Sequence, residues 1–313
     1  MSSSAPFNKK LLAPNYWLTW LGVGLLWLLA WLPWPVQRRI GVGIGALCYH
    51  ILRQRVDDTR INLRLCFPEK SEAERDAMVR DVFRNAGIGI FETLKAWFRG
   101  VDYYRDKASF TGLEHVARAK EQGRGLLILG GHYSTLDLNL TVCAPHVLTD
   151  IVYRPQKNPV LNYVMHRGRS GQGEVISHRD MRQLIRAFRE NHTVWYAIDQ
   201  DYGTQHAVFA PFFGIPAATL NTASRFARIN NAPVLFIGVR RDGDKEHYLV
   251  TFTPTLDNFP SNNDLADATR VNAELEKLIR QVPTQYMWFH RRFKSRPAGE
   301  VAPYQRKKKW EKH

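Results

Sequence analysis

Short apolar runs alternate with segments of helical periodicity over most of the chain, which predicts an α/β fold with a mostly parallel sheet flanked by helices. Ser71 and Glu74 form a capping box, and apolar positions at helical spacing continue from it to Phe98, which predicts a long amphipathic helix. A turn is expected near Gly100. Beyond it, the predicted strands cover residues 126–129, 151–153, 193–198, 234–239 and 248–253, and the predicted helices cover a segment that begins at Asn158, a segment near 180–190, and residues 264–280.

The segment 16–36 differs from the rest of the chain because it contains no charged side chain. Its apolar part, residues 16–32, is at the short end of the roughly 17–25 residues that a spanning helix needs, and Pro33 ends it. We therefore expect an N-terminal hydrophobic membrane-anchor helix, as a tilted span, a re-entrant helix or an interfacial helix, with a buried core helix as the alternative. Indole rings favour the membrane–water interface, and the segment contains Trp17, Trp20, Trp27, Trp31 and Trp34.

The chain carries 44 Lys and Arg against 29 Asp and Glu, and this net charge of +15 predicts an anionic partner. Charge alone fits nucleic acid, an anionic bilayer or a phosphorylated substrate. Its position is more informative, because basic residues flank the uncharged segment and nine of them lie between Trp288 and the C-terminus. We therefore expect an anchor over residues 1–36, an α/β domain over 37–303 and a basic tail over 304–313, all suited to an anionic membrane.

The cysteines and the absence of nucleotide motifs exclude several classes of chemistry. Cys48, Cys66 and Cys143 are odd in number and far apart, which indicates reduced thiols and not a disulfide framework or a zinc site. No P-loop, nucleophile elbow or dinucleotide fingerprint follows a predicted strand. The sequence therefore predicts no metal and no cofactor, and it argues against nucleotide-dependent and serine-hydrolase chemistry.

The loop after the predicted strand 126–129 carries the main catalytic candidate. Gly131 precedes His132, and Asp137 lies about one turn into the helix that follows. Catalytic groups of open α/β sheets lie beyond the carboxyl ends of strands. A carboxylate that holds Nδ1 of a histidine leaves Nε2 free as a general base, and Asp137 can fill that role for His132. The alternative is that His132 satisfies the turn while Asp137 forms a capping pair with Ser134.

Two further groups of polar residues follow predicted strands. Asp199 and Asp201, with Tyr202 beside them, come after the strand 193–198 and can bind a metal, orient a substrate or cap the turn that follows. Arginines at strand and helix ends can hold a phosphate or stabilise a developing oxyanion, with ordinary surface charge as the alternative. These candidates are Arg154, at the end of the strand 151–153, and Arg167 and Arg169, after the next helix.

Six motifs, in their order along the chain, resemble the lipid A late acyltransferases, and in particular the lauroyl-transferring type. The resemblance extends from the N-terminal segment to about Pro297. One motif is His132 followed by Asp137, where many relatives have Glu, and by itself it indicates only the wider glycerolipid acyltransferase superfamily. The other five cover residues 16–22, 62–69, 152–155, 199–203 and 285–294.

The resemblance implies an enzyme that moves a medium-length acyl chain, lauroyl by type, from acyl carrier protein onto a hydroxyacyl chain of a Kdo-bearing lipid A precursor. It places the enzyme at the cytoplasmic face of the Gram-negative inner membrane. It also implies that His132, oriented by Asp137, deprotonates the acceptor hydroxyl while Arg169 stabilises the oxyanion, with Arg167 or Arg154 as the alternative. The residues then expected to bind substrate are Gly131, Arg154, Arg167, Asp199, Asp201 and Tyr202.

Two other functions fit part of the pattern. A glycerol-phosphate-type acyltransferase would explain His132 and Asp137 but not the other five motifs. A membrane-tethered nucleic-acid-binding protein would explain only the net charge and the basic tail, and the chain contains no recognisable reading helix or RNA-binding aromatic motif. We therefore expect no nucleic acid among the partners.

Overall fold

The computed structural model of the protein describes residues 7–304, which contain ten α-helices and nine strands. The helices are α1 (Trp17–Ala30), α2 (Trp34–Ile51), α3 (Arg53–Cys66), α4 (Glu72–Tyr104), α5 (Leu113–Glu121), α6 (Leu136–Cys143), α7 (Pro159–Arg169), α8 (Met181–Arg189), α9 (Thr222–Arg228) and α10 (Asp264–Gln281). The strands are β1 (Ala108–Thr111), β2 (Leu126–Gly130), β3 (Asp150–Tyr153), β4 (Val175–Ser177), β5 (Thr193–Ala197), β6 (Ala207–Phe212), β7 (Ile215–Leu220), β8 (Val234–Arg241) and β9 (Tyr248–Phe252).

Seven of the strands form one sheet in the order β1-β9-β8-β2-β5-β3-β4, and all neighbours run parallel except β8 and β9. The predicted α/β fold with a mostly parallel sheet is confirmed. The five predicted strands correspond to β2, β3, β5, β8 and β9. The sequence did not reveal β1 and β4, which are short strands at the two edges of the sheet, or the separate antiparallel hairpin of β6 and β7.

The predicted helices are present, and the predicted capping box is confirmed. Ser71 and Glu74 exchange capping-box hydrogen bonds at the start of α4, and Gly100 interrupts this helix with a φ of 69° where the turn was predicted. Helices α7, α8 and α10 start where expected, each with an Asn or Asp side chain that caps the first turn. Arg167 and Arg169 lie in the last turn of α7 and not after it.

The predicted end of the N-terminal helix before Pro33 is confirmed, and the last residues of the uncharged segment begin a second helix. Helix α1 ends before Pro33, and α2 begins at Trp34 and continues well past the predicted end of the anchor at residue 36. Helix α1 buries only Val23 and Ala30, while Leu18 is 80% exposed. In the part of the chain that the structure describes, none of the helices combines the length and the apolarity that crossing a membrane requires.

The end of the described chain packs onto the body of the protein. Tyr304, predicted as the first residue of the tail, is buried, and its hydroxyl donates a hydrogen bond to Asn62 and accepts one from the backbone of Phe293. The α/β domain therefore includes Tyr304. The rest of the predicted basic tail, residues 305–313, lies outside the described residues.

Helix α2 packs on α4 through glycines, which gives a testable consequence. A Cβ on Gly45 would lie 2.3 Å from the backbone oxygen of Phe83. We therefore expect Gly45→Ala to lower the free energy of unfolding by about 1–3 kcal/mol, because α2 must move away from α4. Gly43 is the matched control, since a Cβ there would meet nothing within 4 Å, and Gly43→Ala should raise stability by about 0.5–1 kcal/mol. Thermal unfolding followed by circular dichroism measures both, and equal shifts would contradict the close packing.

Candidate active site

The register of the two central strands places a histidine beside an aspartate. Strands β2 and β5 run parallel, and Gly130 pairs with Ala197. His132 and Asp199 each lie two residues beyond this pair, so they meet at the carboxyl edge of the sheet. The Nδ1 atom of His132 lies 2.6 Å from Oδ1 of Asp199, and the backbone N–H of His132 donates to Oδ2 of Asp199 over 2.7 Å.

The segment that contains Tyr286 and Met287 also binds this pair of residues. Tyr286 donates its hydroxyl to Oδ2 of Asp199 over 2.7 Å, and the backbone N–H of Met287 donates to the carbonyl of His132 over 2.9 Å. Asp199 is fully enclosed by these contacts. The space at Gly131 is crowded, because a Cβ there would lie 3.1 Å from the ring of Tyr286 and 3.3 Å from Asp199.

The two groups change each other's ionisation. Burial lowers the pKa of His132, but the charge of Asp199 and its hydrogen bond outweigh burial and raise the pKa above the ordinary value of 6.5. Burial raises the pKa of Asp199, but the charge of His132 and the hydrogen bonds that Asp199 accepts hold it well below its usual range. Asp199 is therefore an anion, Nδ1 of His132 carries a proton, and Nε2 is the basic atom above the pKa of the ring.

The basic atom of His132 faces a carboxamide. The Nε2 atom of Gln200 lies 3.1 Å from Nε2 of His132 and 3.4 Å from Nε2 of His290. The hydroxyl of Tyr202 donates to Oε1 of Gln200 over 2.9 Å, which orients the amide nitrogen towards the histidines. Burial and the nearby charge of His132 lower the pKa of His290 to about 4, so this second ring is neutral at pH 7. A substrate hydroxyl that is to be deprotonated must take the place of the Gln200 amide.

The structure corrects the predicted partner of His132. Asp137 lies in the first turn of α6, where its Oδ1 is 2.6 Å from Nε of Arg169 and accepts the indole N–H of Trp97 over 3.0 Å. The expected hydrogen bond from Asp137 to Nδ1 of His132 is replaced by the bond to Asp199. The reason is geometric: the sheet register already places Asp199 at Nδ1, and the guanidinium of α7 offers Asp137 a charged partner.

A cavity of about 690 Å³ opens in front of His132. It brings together most of the predicted site, because Asp137, Arg154, Arg169 and Tyr202 line it with His132. A second cavity, of about 360 Å³, borders His290 on the side of α2 and α4, and apart from Arg55 and His290 its lining is apolar. The site thus combines the imidazole of His132 and the guanidinium of Arg169 with a neighbouring apolar cavity.

Two predicted residues have other surroundings. Arg167 lines a separate cavity of about 630 Å³ beside α1 and donates to the hydroxyl of Tyr163. Asp201 caps the turn at Gly203 and accepts hydrogen bonds from the backbone and the hydroxyl of Ser295 over 2.8 and 2.9 Å. Among residues 7–304, no group of three His, Cys, Asp or Glu side chains is placed to hold a metal ion.

Four residues of this site had no predicted role, although three of them lie in motifs found in the sequence. Tyr286 and His290 belong to the motif 285–294, whose backbone is fixed when Asn62 donates to the carbonyls of Trp288 and His290. Gln200 lies inside the motif 199–203. For Trp97 there was no signal, because its contact with Asp137 joins α4 to α6 across the fold.

Comparison with known protein families shows that the chain is an acyltransferase. The family model described as bacterial lipid A biosynthesis acyltransferase matches residues 4–295. The chain belongs to this family, so the resemblance found in its motifs is confirmed.

Individual relatives span nearly the whole chain. The lipid A biosynthesis palmitoleoyltransferase of Escherichia coli (strain K12) is 37% identical over 309 residues, 97% of this chain and 100% of the relative. The lauroyltransferase of the same organism is 37% identical over 306 residues, again 97% of this chain and 100% of the relative. The myristoyltransferase is 30% identical over 308 residues, 96% of this chain and 94% of the relative. These three relatives are named for different acyl chains, so the similarity does not single out lauroyl.

Proposed function

We propose that the protein transfers a medium-length acyl chain, lauroyl in the first instance, from acyl carrier protein onto a hydroxyacyl chain of the Kdo-bearing lipid A precursor. The observation that carries this proposal is the pair of His132 and the buried Asp199, which faces a cavity of about 690 Å³ that also contains Arg169. Such a pair supplies a general base for a hydroxyl, and the guanidinium supplies positive charge for an oxyanion.

In the proposed reaction Nε2 of His132 accepts the proton of the acceptor hydroxyl as its oxygen forms a bond to the thioester carbonyl carbon. The imidazolium is stabilised by Asp199, which stays ionised. The tetrahedral oxyanion then collapses, the C–S bond breaks, and the proton on His132 passes to the departing thiolate. The ester product and the free thiol balance the reaction, and no covalent enzyme intermediate is needed.

Arg169 is proposed to stabilise the oxyanion, with Asp137 as its positioning residue. Asp137 fixes the guanidinium through Nε, which leaves the terminal nitrogens for the cavity. We expect Arg169→Gln to lower kcat by about 10²-fold, because one oxyanion donor is lost. Arg169→Lys should recover part of kcat, since the charge returns without the fork geometry. Steady-state kinetics with saturating acceptor measures this, and an unchanged kcat in Arg169→Gln would exclude the role.

The proposal for the membrane rests on exposed apolar surface. Large side chains of α1 and α2 remain exposed, which is unusual for a protein surface in water and suits burial at the boundary of a bilayer. Basic residues on both sides of these helices suit an anionic leaflet. Together with the family to which the chain belongs, this surface supports the proposal that the protein lies at the cytoplasmic face of the bacterial inner membrane. The exposed set includes Trp17, Leu18, Leu21, Leu25, Trp27, Leu28, Trp31, Leu47 and Ile51.

A reconstituted transfer assay tests the proposed function and its finer parts. The purified protein is incubated with carrier proteins that bear lauroyl, palmitoleoyl or myristoyl groups, and with either the Kdo-bearing lipid A precursor or glycerol 3-phosphate as acceptor. We expect acylation of the lipid A precursor alone, fastest with lauroyl. Faster transfer of palmitoleoyl would show that palmitoleoyl, and not lauroyl, is the preferred acyl group. Transfer to glycerol 3-phosphate or to neither acceptor would contradict the proposed function.

A further inference from the structure

A row of basic side chains borders the mouth of the cavity of about 690 Å³ in front of His132, which we call the catalytic cavity. Arg154 and His178, which follow the carboxyl ends of β3 and β4, both line that cavity. Exposed basic residues continue from these two positions along the chain and down α8. We call this set the basic rim, and it consists of Arg154, Lys157, Arg179, Arg182, Arg186 and Arg189.

The rim presents its charge on one side of a helix. Arg182, Arg186 and Arg189 are spaced by four and three residues, which places them on a single face of α8. The opposite face is buried through Leu184 and Phe188. At 1.5 Å per residue the three guanidiniums extend about 10 Å away from the cavity mouth, a length that suits contact with another folded surface.

The rim residues form no ion pair within the described part of the chain. Within residues 7–304, no Asp or Glu oxygen lies within 4.0 Å of a charged nitrogen of any rim residue. Three acids lie near the rim along the chain: Asp180 caps α8 through the N–H of Gln183, Glu174 accepts from the side chain of Gln183, and Glu190 lies 3.9 Å from Nε2 of His192. The six basic residues of the rim outnumber these three acids, so the rim keeps a net positive charge beside the entrance to His132.

Helix α8 differs from the apolar N-terminal helices in a way that favours a protein over a lipid surface. Helices α1 and α2 expose Trp and Leu side chains, whereas the only large apolar side chain that α8 exposes is Met181, at 41%. A surface with charge and little apolar area suits electrostatic docking of an acidic protein, where complementary charge steers the encounter.

We propose that the basic rim is the docking surface for the acidic carrier protein that delivers the acyl thioester to His132. This inference rests on the proposed function, which requires a thioester donor at the same cavity. The carrier then binds beside the carboxyl ends of β3 and β4, and its thioester arm enters next to Arg154. The rim contributes to capture of the donor and not to the chemical step.

The double variant Arg182→Glu and Arg186→Glu tests the docking surface. Neither residue lines the catalytic cavity. We expect KM for the carrier-bound donor to rise by about tenfold or more at low salt, because electrostatic steering is lost, while kcat stays nearly unchanged. Transfer from an acyl-coenzyme A, where it occurs, should keep its rate. The KM of the unaltered protein should rise with salt, and that of the variant should rise less.

The matched control reverses two charges on helices other than α8. Arg64 of α3 and Arg80 of α4 are exposed, lie outside the catalytic cavity and form no ion pair within residues 7–304. The variant Arg64→Glu and Arg80→Glu should therefore leave KM for the carrier-bound donor unchanged. An equal rise in KM in both variants would overturn the proposal, because it would show a general effect of net charge.

Direct binding keeps the docking test independent of turnover. Titration of the carrier protein, without acceptor, should show weaker binding to the rim variant than to the control variant. Unchanged carrier binding with lost binding to anionic phosphatidylglycerol vesicles would overturn the proposal and assign the rim to lipid. If the unaltered protein binds the carrier through the rim but transfers no acyl group, the proposed function fails while the docking surface stands.

Discussion

Replacement of His132 by Ala should lower the rate of acyl transfer by up to about 10⁴-fold, the upper range for loss of a general base. The reason is that Nε2 of His132 is the basic atom that faces the catalytic cavity, held there by the bond from Nδ1 to Asp199. Single-turnover transfer from the carrier-bound donor to the lipid A precursor measures the loss, since it follows the chemical step.

Two controls separate loss of the base from loss of structure. His132→Asn keeps an N–H donor near Asp199 but has no counterpart of Nε2, so its activity should fall as far as that of His132→Ala while its unfolding temperature stays closer to that of the unaltered protein. His50→Ala removes an exposed histidine of α2 that lines neither cavity and should change the rate little. Substantial activity in His132→Asn would rule out Nε2 as the base.

Asp199→Asn should lower kcat on the order of 10³-fold and should also move the pH profile. In the unaltered protein the rate of transfer should rise with pH through the pKa of His132, which the charge of Asp199 raises above 6.5 against the effect of burial. The neutral amide no longer stabilises the imidazolium, so the inflection should shift to lower pH, and the weaker base explains the slower reaction. Profiles of kcat/KM against pH measure the shift.

Asp137→Asn is the comparison that decides between the two carboxylates. Asp137 contacts Arg169 and Trp97, so its loss should lower kcat through Arg169 and leave the inflection of the pH profile in place. If Asp137→Asn moved the inflection and Asp199→Asn did not, the pairing of His132 would be the one predicted from the sequence and not the one in the structure.

The location of the site could be predicted from the sequence, because it follows from local pattern. An apolar strand followed by two glycines places His132 at the carboxyl end of β2, and a carboxylate after the next long strand places Asp199 at the same edge. Both inferences need only strand identity and the rule that parallel sheets bind ligands at this edge. The capped helices were predictable for the same reason.

The pairing within the site was not predictable in this way, because it depends on which strands are neighbours. Asp137 is close to His132 along the chain, whereas Asp199 reaches it only because β5 lies next to β2 with Gly130 opposite Ala197. The sequence gives no strand order, so the nearer carboxylate was preferred. Tyr286 and His290 belong to a segment that is even more distant along the chain. Backbone pairing with the loop at His132 brings this segment to the site.

The N-terminal segment shows a different limit of sequence patterns. Its uncharged length predicted one anchor helix, but Pro33 starts a second helix that packs on α4 through Gly41 and Gly45. The end of α1 follows from local pattern, whereas the packing of α2 on α4 joins distant segments and cannot be predicted from the apolarity of residues 16–36.

Mass spectrometry of lipid A tests the central claim most directly. Lipid A is isolated from cells in which the gene for this protein is deleted. These cells are compared with the same cells complemented with either the unaltered protein or His132→Ala, at equal abundance in the membrane. The account predicts that the unaltered protein restores one acyl chain, with the mass of a lauroyl group, and that His132→Ala does not. Identical lipid A spectra with and without the unaltered protein, or full restoration by His132→Ala, would contradict it.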